Sequence, residues 1–380
     1  MTDRQAAAPL SGVRIIEFAG IGPGPFAGMM LADMGAEIIR IDRAGAKPWP
    51  GPDFLARGRK SVVLDLKNPE AVQVALTLLR DADGLIEGFR PGVMERLGLG
   101  PDAVHAVNPR LVYGRMTGWG QDGPLAHAAG HDLNYIALSG ALWSTGEATR
   151  APTFPMNLLG DFGAGGMYLA FGMVTGLFNA QRTGTGDVID AAICDGTASL
   201  MAMIYGFRAA GDWEDKRQAN LLDGGAPWYG VYECADGTWI TIGPLEPKFW
   251  DELLTRLGLD PADIGKRADP ESWPAMRAKF ADIFKSQPRD HWVALLEGTD
   301  ACFAPVLSPA EAPEHPHNAA RGIFSKTGPA QPMPAPRFAQ SETPLPPPAP
   351  ELGADTQEIL AHAGLSPDEI ERLFKTGAVA

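Results

Sequence analysis

LSGVRIIEFAGIGPGPFAGMMLADMGAEIIRIDR, residues 10–43, is the stretch on which the fold class turns. Residues 13–19 form a short apolar run of strand type, residues 25–34 carry a helical pattern, and residues 37–41 form a second apolar run. Working outward, residues 61–66 predict a third strand that alternates too little to be half exposed. Residues 69–80 then read as an amphipathic helix, with apolar positions at Val72, Ala75, Leu76 and Leu79. Residues 84–87 and 111–116 add further strands. Apolar strands alternating with helices imply an α/β fold, in which a Rossmann-like parallel sheet is covered on both faces.

The middle of the chain changes character. Residues 231–234 and 239–242 flank Ala235-Asp236-Gly237, a hairpin signal that belongs to an antiparallel element. Helical patterns follow at 247–257, 274–286 and 288–296, so a smaller α+β unit is expected there. Residues 327–350 are proline-dense and read as a semi-rigid strap. Beyond it, Asp355 with Glu358 and Ser366 with Glu369 both fit the capping box, and Pro367 suits a first helical position.

Composition narrows the function classes. The chain has 380 residues, 45% hydrophobic and 21% charged, enough for two cores. A formal net charge of −14 repels nucleic acid and anionic lipid, so neither is expected as a partner. Cys194, Cys234 and Cys302 are widely spaced and odd in number, which suits a reducing compartment. The opening MTDRQAAAPLSG lacks the apolar run of a signal peptide, and the closing KTGAVA is no peroxisomal address. Residues 162–181 carry no charge over about the length of a bilayer span. Gly163, Gly165, Gly166, Gly172 and Gly176 interrupt that run, so a buried, closely packed helix is expected rather than a membrane span. The expected location is the cytoplasm.

One motif is misleading. Gly22-Pro23-Gly24-Pro25 lies between a strand and a helix, with Asp42 at the end of the next strand, much like a dinucleotide fingerprint. Pro23 and Pro25 lack the N–H groups that would meet a pyrophosphate, so a tight strand-to-helix turn is the better reading. Basic side chains point to an anion instead. Arg43, Lys67 and Arg90 fall at the carboxyl ends of strands, where open parallel sheets bind ligands. Arg57, Arg59 and Lys60 precede the third strand, and Arg96 follows Arg90. In so acidic a chain this set favours a phosphate-rich ligand.

Three titratable residues stand in unusual company: His131 in GHDLNY, Asp161 in NLLGDFG and Glu246 in EPKFW. Asp161 opens the uncharged helix, so it is either a plain N-cap or a placed functional group. The amides of that first turn would be free to receive a developing oxyanion. His315 and His317 sit in a proline-rich loop and make a poor metal site, so no metal is expected.

At these residues the chain resembles the family III CoA-transferase superfamily of CaiB/BaiF type, and within it the α-methylacyl-CoA racemase branch, over essentially its whole length. Besides the opening stretch, the resemblance rests on RGRKSVVLDLK, RPGVMERLGLGP, GHDLNY, NLLGDFGAGGM, GDVIDAAICDG, LLDGGAPWYGVYECADG and EPKFW. GHDLNY and EPKFW are the specific segments. The CoA-transferases generally share an aspartate at Asp161 but lack a histidine matching His131.

The resemblance implies a large domain built from both chain ends. Residues 1–191 would form its N-terminal part, 192–229 a linker helix region, 230–322 the small domain, 323–350 the strap, and 351–380 helices that return to the large domain. It implies an interlocked homodimer, in which Glu246 reaches the site from the partner subunit. It implies catalytic roles for His131 and Asp161, with Glu246 supporting the histidine. Contacts to coenzyme A would fall on Arg43, on Leu64, Asp65, Leu66 and Lys67, and on Gly130, Asp132, Leu133, Asn134 and Tyr135, with Asn157 and Tyr229 lining the substrate. Arg90 and Arg96 join that set on charge and position.

The expected reaction is epimerisation at the carbon beside an acyl-CoA thioester, by two bases and through an enolate. Coenzyme A is then part of the substrate, and no separate cofactor is called for. Met156, Met167, Met201 and Met203 are candidates for an apolar wall against the acyl chain. The alternative is a family III CoA-transferase with Asp161 as nucleophile.

Overall fold

The computed structural model describes residues 7–47 and 50–380. The first six residues of the opening segment lie outside the described residues.

Two compact units divide the chain. The larger comprises the described residues of Met1–Gly140 with Pro155–Met201 and Gln331–Ala380, and the smaller comprises Ala141–Phe154 with Ala202–Ala330. Both chain ends therefore build the large unit. The division differs from the sequence expectation in three places. Residues 141–154 go with the small unit, the expected linker is split after Met201, and the expected strap is split after Ala330.

The large unit holds six parallel strands: β1 (Arg14–Phe18), β2 (Glu37–Arg43), β3 (Arg59–Leu64), β4 (Gly84–Glu87), β5 (Val112–Thr117) and β6 (Val188–Ala192). Their spatial order is β3-β2-β1-β4-β5-β6, the doubly wound order of a Rossmann fold. Successive side chains of a strand face opposite sides. Ile15 accordingly joins the core under helices Pro23–Asp33 and Met167–Thr183, while Ile16 joins the core on the other face. That second face is covered by helices Pro69–Arg80 and Pro101–Val107 and by the C-terminal helices Thr356–His362 and Pro367–Lys375.

Helix Pro69–Arg80 shows why the sequence was readable here. The Asn68 side chain caps it by accepting the Glu70 N–H at 3.0 Å, and Ala71, Val74, Ala75, Leu78 and Leu79 form its buried stripe. At the far end of the chain, Ser366 and Glu369 make the expected capping box. Asp355 does not. Its carboxylate accepts the Ser61 N–H at 2.8 Å, so it ties the C-terminal segment to edge strand β3 instead of capping its own helix. The Leu64–Val379 bridge and the Ala380 N–H bond to Val63 O continue that cover along the edge.

The small unit pairs β7 (Gly230–Glu233), β8 (Trp239–Ile242) and β9 (Phe303–Val306) in an antiparallel sheet. Trp228, Tyr232, Trp250, Phe280, Phe284 and Trp292 dominate its core. Among the described residues, no helix is long and apolar enough to cross a membrane. Residues 162–181 instead span the second half of a π-helical segment, Leu158–Gly166, and all but the last two residues of helix Met167–Thr183. That helix is exposed at Phe171, Val174 and Phe178 and so is only partly buried, unlike the expectation.

Candidate active site

In a doubly wound sheet the crevice opens at the carboxyl ends of the strands, where the order reverses. Here that point lies between β1 and β4. The turn after β1 contains Gly22, with φ 67° and ψ −115°, a conformation that a side chain disfavours. A Cβ on Gly22 would stand 3.2 Å from Oδ2 of Asp161. The Gly-Pro-Gly-Pro turn therefore leaves room for a carboxylate rather than a pyrophosphate.

Asp161 is no N-cap. It sits inside the π-helical segment, a rare geometry often found at functional sites. Glycines allow that segment to press close: a Cβ on Gly165 would lie 3.0 Å from both Pro23 Cβ and Ile193 Cγ1. The Asp161 N–H donates to Oδ1 of Asp132 at 2.7 Å, and Asn157 Nδ2 donates to Asp161 Oδ2 at 3.2 Å. The Phe162 N–H donates to Asn157 O. These two amides are thus engaged, and the expectation that they receive an oxyanion is corrected. Burial holds the Asp161 carboxyl above its ordinary range; the Asn157 hydrogen bond opposes this, the Asp132 charge adds to it, and His131 opposes it.

His131 precedes helix Asp132–Leu138, is exposed, and donates its N–H to Asn134 Oδ1 at 3.0 Å. Asp132 is buried, and its Oδ2 has no hydrogen-bond partner. One short segment therefore brings His131, Asp132 and Asp161 together. Tyr135 closes it from behind, donating to Gly130 O and packing edge-on to Trp119 at 4.7 Å. Burial raises the Tyr135 phenol, the Asp161 charge adds to this, and Arg90 opposes it, which places all three in one electrostatic neighbourhood. Leu133 stays exposed.

Along the same edge, Arg43 ends β2 while Lys67 and Arg90 follow β3 and β4, and all three are exposed. Arg96 is exposed at the end of helix Val93–Arg96. In the Leu64–Lys67 segment, the Leu64 side chain is buried, so Asp65, Leu66 and Lys67 are what it offers outward. Two other arginines leave the anion-binding set. Arg57 pairs with buried Asp33 at 2.5 Å, and Arg59 pairs with buried Glu17 at 2.9 Å. Lys60 is held by Glu37 and Glu358.

Glu246 and Tyr229 belong to the small unit. Glu246 is exposed at the start of helix Pro247–Leu257 and makes no side-chain cap bond; Tyr229 is part exposed beside Gly243. Among the described residues no cluster of metal-ligating side chains occurs, and His315 instead meets Glu297 at 2.8 Å.

Sequence reasoning missed Glu87. This buried carboxylate ends β4, accepts the Phe89 N–H at 2.7 Å and the Arg115 Nε–H at 3.1 Å, and so braces the loop that carries Arg90. The signal was available: a charge closing an otherwise apolar strand.

The CoA-transferase family III profile matches residues 10–356. The chain belongs to CoA-transferase family III. Among family members, it is 44% identical to the alpha-methylacyl-CoA racemase of Mus musculus over 367 residues, covering 96% of each chain. With the alpha-methylacyl-CoA racemase of Homo sapiens it shares 42% over 369 residues, again 96% of each. A crystal structure of a CAIB/BAIF family protein from Brucella suis superposes with a TM-score of 0.81 at 26% identity, covering 94% of this chain and all of that one.

Proposed function

We propose that this protein is an α-methylacyl-CoA racemase, which inverts the α-carbon of 2-methylacyl-CoA thioesters. The observation that carries the reading is the bond from the Asp161 N–H to Asp132, the residue directly after His131. It gathers an imidazole and a carboxyl group at the switch point of a CoA-family fold.

The α-hydrogen of a thioester is acidic because the enolate places charge on the carbonyl oxygen. His131 serves one face of that carbon and Asp161 the other; one takes the proton and the other returns one from the far side. The partial burial that raises Asp161 suits a group that must exchange protons near neutral pH. The first turn of helix Asp132–Leu138 leaves the Asp132 and Leu133 amides without intrahelical acceptors, and these are the donors we assign to the enolate oxygen. Arg43, Lys67, Arg90 and Arg96 bind the phosphates of coenzyme A, and the Gly130–Tyr135 segment and Asn157 lie along the thioester. No metal or redox group has a task in this scheme. Exposed Met156 and Met167, both in the large unit, suit an adaptable wall for the acyl chain.

Glu246 supports His131, from the partner subunit of a homodimer. A second copy is favoured by the apolar face of helix Met167–Thr183, where Met167, Phe171, Val174 and Phe178 are all exposed at helical spacing. The site of action is the cytoplasm.

The test is exchange in heavy water. A single 2-methylacyl-CoA epimer, with no acceptor acid present, should take up deuterium at the α-carbon and become a mixture of epimers. His131→Ala should lose most of that exchange, and an undiminished rate would remove the histidine from the scheme. A CoA-transferase acting through Asp161 would leave a lone thioester unchanged.

A further inference from the structure

The small unit carries an arginine whose cost needs a reason. Arg267 lies between helix Pro261–Ile264 and the turn Pro270–Ser272. Its guanidinium carbon stands 4.5 Å from the ring centre of Trp228 and 5.0 Å from that of Trp250. Among the described residues no carboxylate pairs with it, and burial lowers its pKa below the ordinary arginine value. A charge taken partly out of water must recover its solvation locally. Two aromatic faces supply part of that. The rest comes from two backbone carbonyls: Nη2 donates to Pro244 O at 3.2 Å and to Leu245 O at 2.7 Å.

Those carbonyls belong to the two residues directly before Glu246. On the other side, the amides of Phe249 and Trp250 both donate to Glu246 O at 3.1 Å. Trp250 is also one of the two rings against the guanidinium. Arg267 therefore fixes the backbone just before Glu246, and the first turn of helix Pro247–Leu257 fixes the Glu246 carbonyl, while the Glu246 carboxylate makes no cap bond. If space filling were the task, leucine or methionine would serve without the desolvation cost. What arginine adds is a planar guanidinium that stacks against both indole rings while one of its nitrogens, Nη2, donates to two consecutive carbonyls.

We propose that Arg267 is a positioning residue for Glu246, fixing the loop before it so that its carboxylate points where the histidine-supporting role requires. This rests on the role assigned to Glu246 above.

The experiment is a double-mutant cycle on the full chain, reading α-proton exchange at saturating 2-methylacyl-CoA, KM and thermal unfolding. Arg267→Met should lower kcat roughly ten- to a hundredfold, the scale of a catalytic group displaced by about an ångström, with KM nearly unchanged. Glu246→Gln should lower kcat by itself, and adding Arg267→Met should then cost little more. Arg267→Lys should retain part of the rate. If Arg267→Met fails to fold, the same cycle is run with Arg267→Lys. Unchanged kcat in the arginine variants beside an impaired Glu246→Gln overturns the positioning role and leaves that of Glu246 standing. So does a double variant whose loss equals the product of the single losses. A fully active Glu246→Gln removes the role of Glu246 itself, and the inference falls with it.

Discussion

Oδ1 of Asp132 accepts the backbone N–H of Asp161 at 2.7 Å, and Oδ2 of the same carboxylate is buried without a partner. Asp132 thus holds the π-helical segment in place and lays a negative charge beside Asp161. The facing ionisable groups are Asp132, which raises the Asp161 carboxyl, and His131, which lowers it; Tyr135 lies behind. Asp132→Asn keeps an acceptor for the amide but removes the charge. The acidic limb of the pH–rate profile should then move to lower pH, because Asp161 loses its proton more readily. Asp132→Ala should instead lower the rate at every pH. An acidic limb that stays in place in the asparagine variant would show that the charge has no influence.

Gly22 permits the approach of Asp161 to the turn after β1. Gly22→Ala introduces a side chain at φ 67° and puts its Cβ 3.2 Å from the Asp161 carboxylate. The backbone strain alone is worth about 1–3 kcal/mol. Thermal unfolding should occur at lower temperature, and proton exchange should fall further than the lost stability explains. Wild-type exchange in a destabilised variant would separate the turn from the site.

Five of the six strands were legible because they are largely buried on both faces; edge strand β6, exposed at Val188 and Asp190, carried no such run and was missed. Ile15, Ile16, Ile38, Ile39, Val62 and Val63 make continuous apolar runs that only a covered parallel sheet explains. The His131 and Asp161 segments were legible as motifs. What the sequence hides is who pairs with whom. Arg57 and Arg59 look as available as Arg43, yet Asp33 and Glu17, each far away in sequence, bury them. Asp355 reads as a helix cap, yet a strand amide almost three hundred residues earlier takes its carboxylate. The π-helical geometry around Asp161 is equally hidden, since glycine-rich apolar residues look the same in either helix.

Glu87 offers a test by pH. Burial pushes its carboxyl from 4.5 up to about 7, against the Phe89 N–H and the Arg115 guanidinium. The folded protein therefore binds this proton more tightly than the unfolded chain does. Stability from this group is full below about pH 4.5 and is lost as pH rises through about 7. Glu87→Gln cannot ionise and should escape that loss. Urea unfolding at pH 5 and pH 8 should show the wild type losing stability relative to Glu87→Gln. An equal difference at both pH values would contradict the raised carboxyl.

Two arginines near one sheet edge should answer opposite assays. Arg59 donates to Glu17 at 2.9 Å and to Pro25 O at 2.6 Å, and both charged side chains are buried. Its pairing holds the helix that follows β1, and a Cβ on Gly28 of that helix would stand 2.7 Å from Glu17 Oε2. Arg59→Met leaves the Glu17 charge buried alone, a change of about 3–5 kcal/mol that should show in urea unfolding. Arg43 is exposed at the end of β2 and enters no ion pair among the described residues. Arg43→Ala should leave unfolding unchanged. If it meets a phosphate of coenzyme A, KM for the thioester should rise about tenfold, the scale of one charge-assisted hydrogen bond. The rise should shrink at high salt, where screening weakens the contact in the wild type as well. Should Arg43→Ala instead destabilise the fold and leave KM alone, the anion site lies elsewhere on the edge, and Lys67 and Arg90 become the residues to vary.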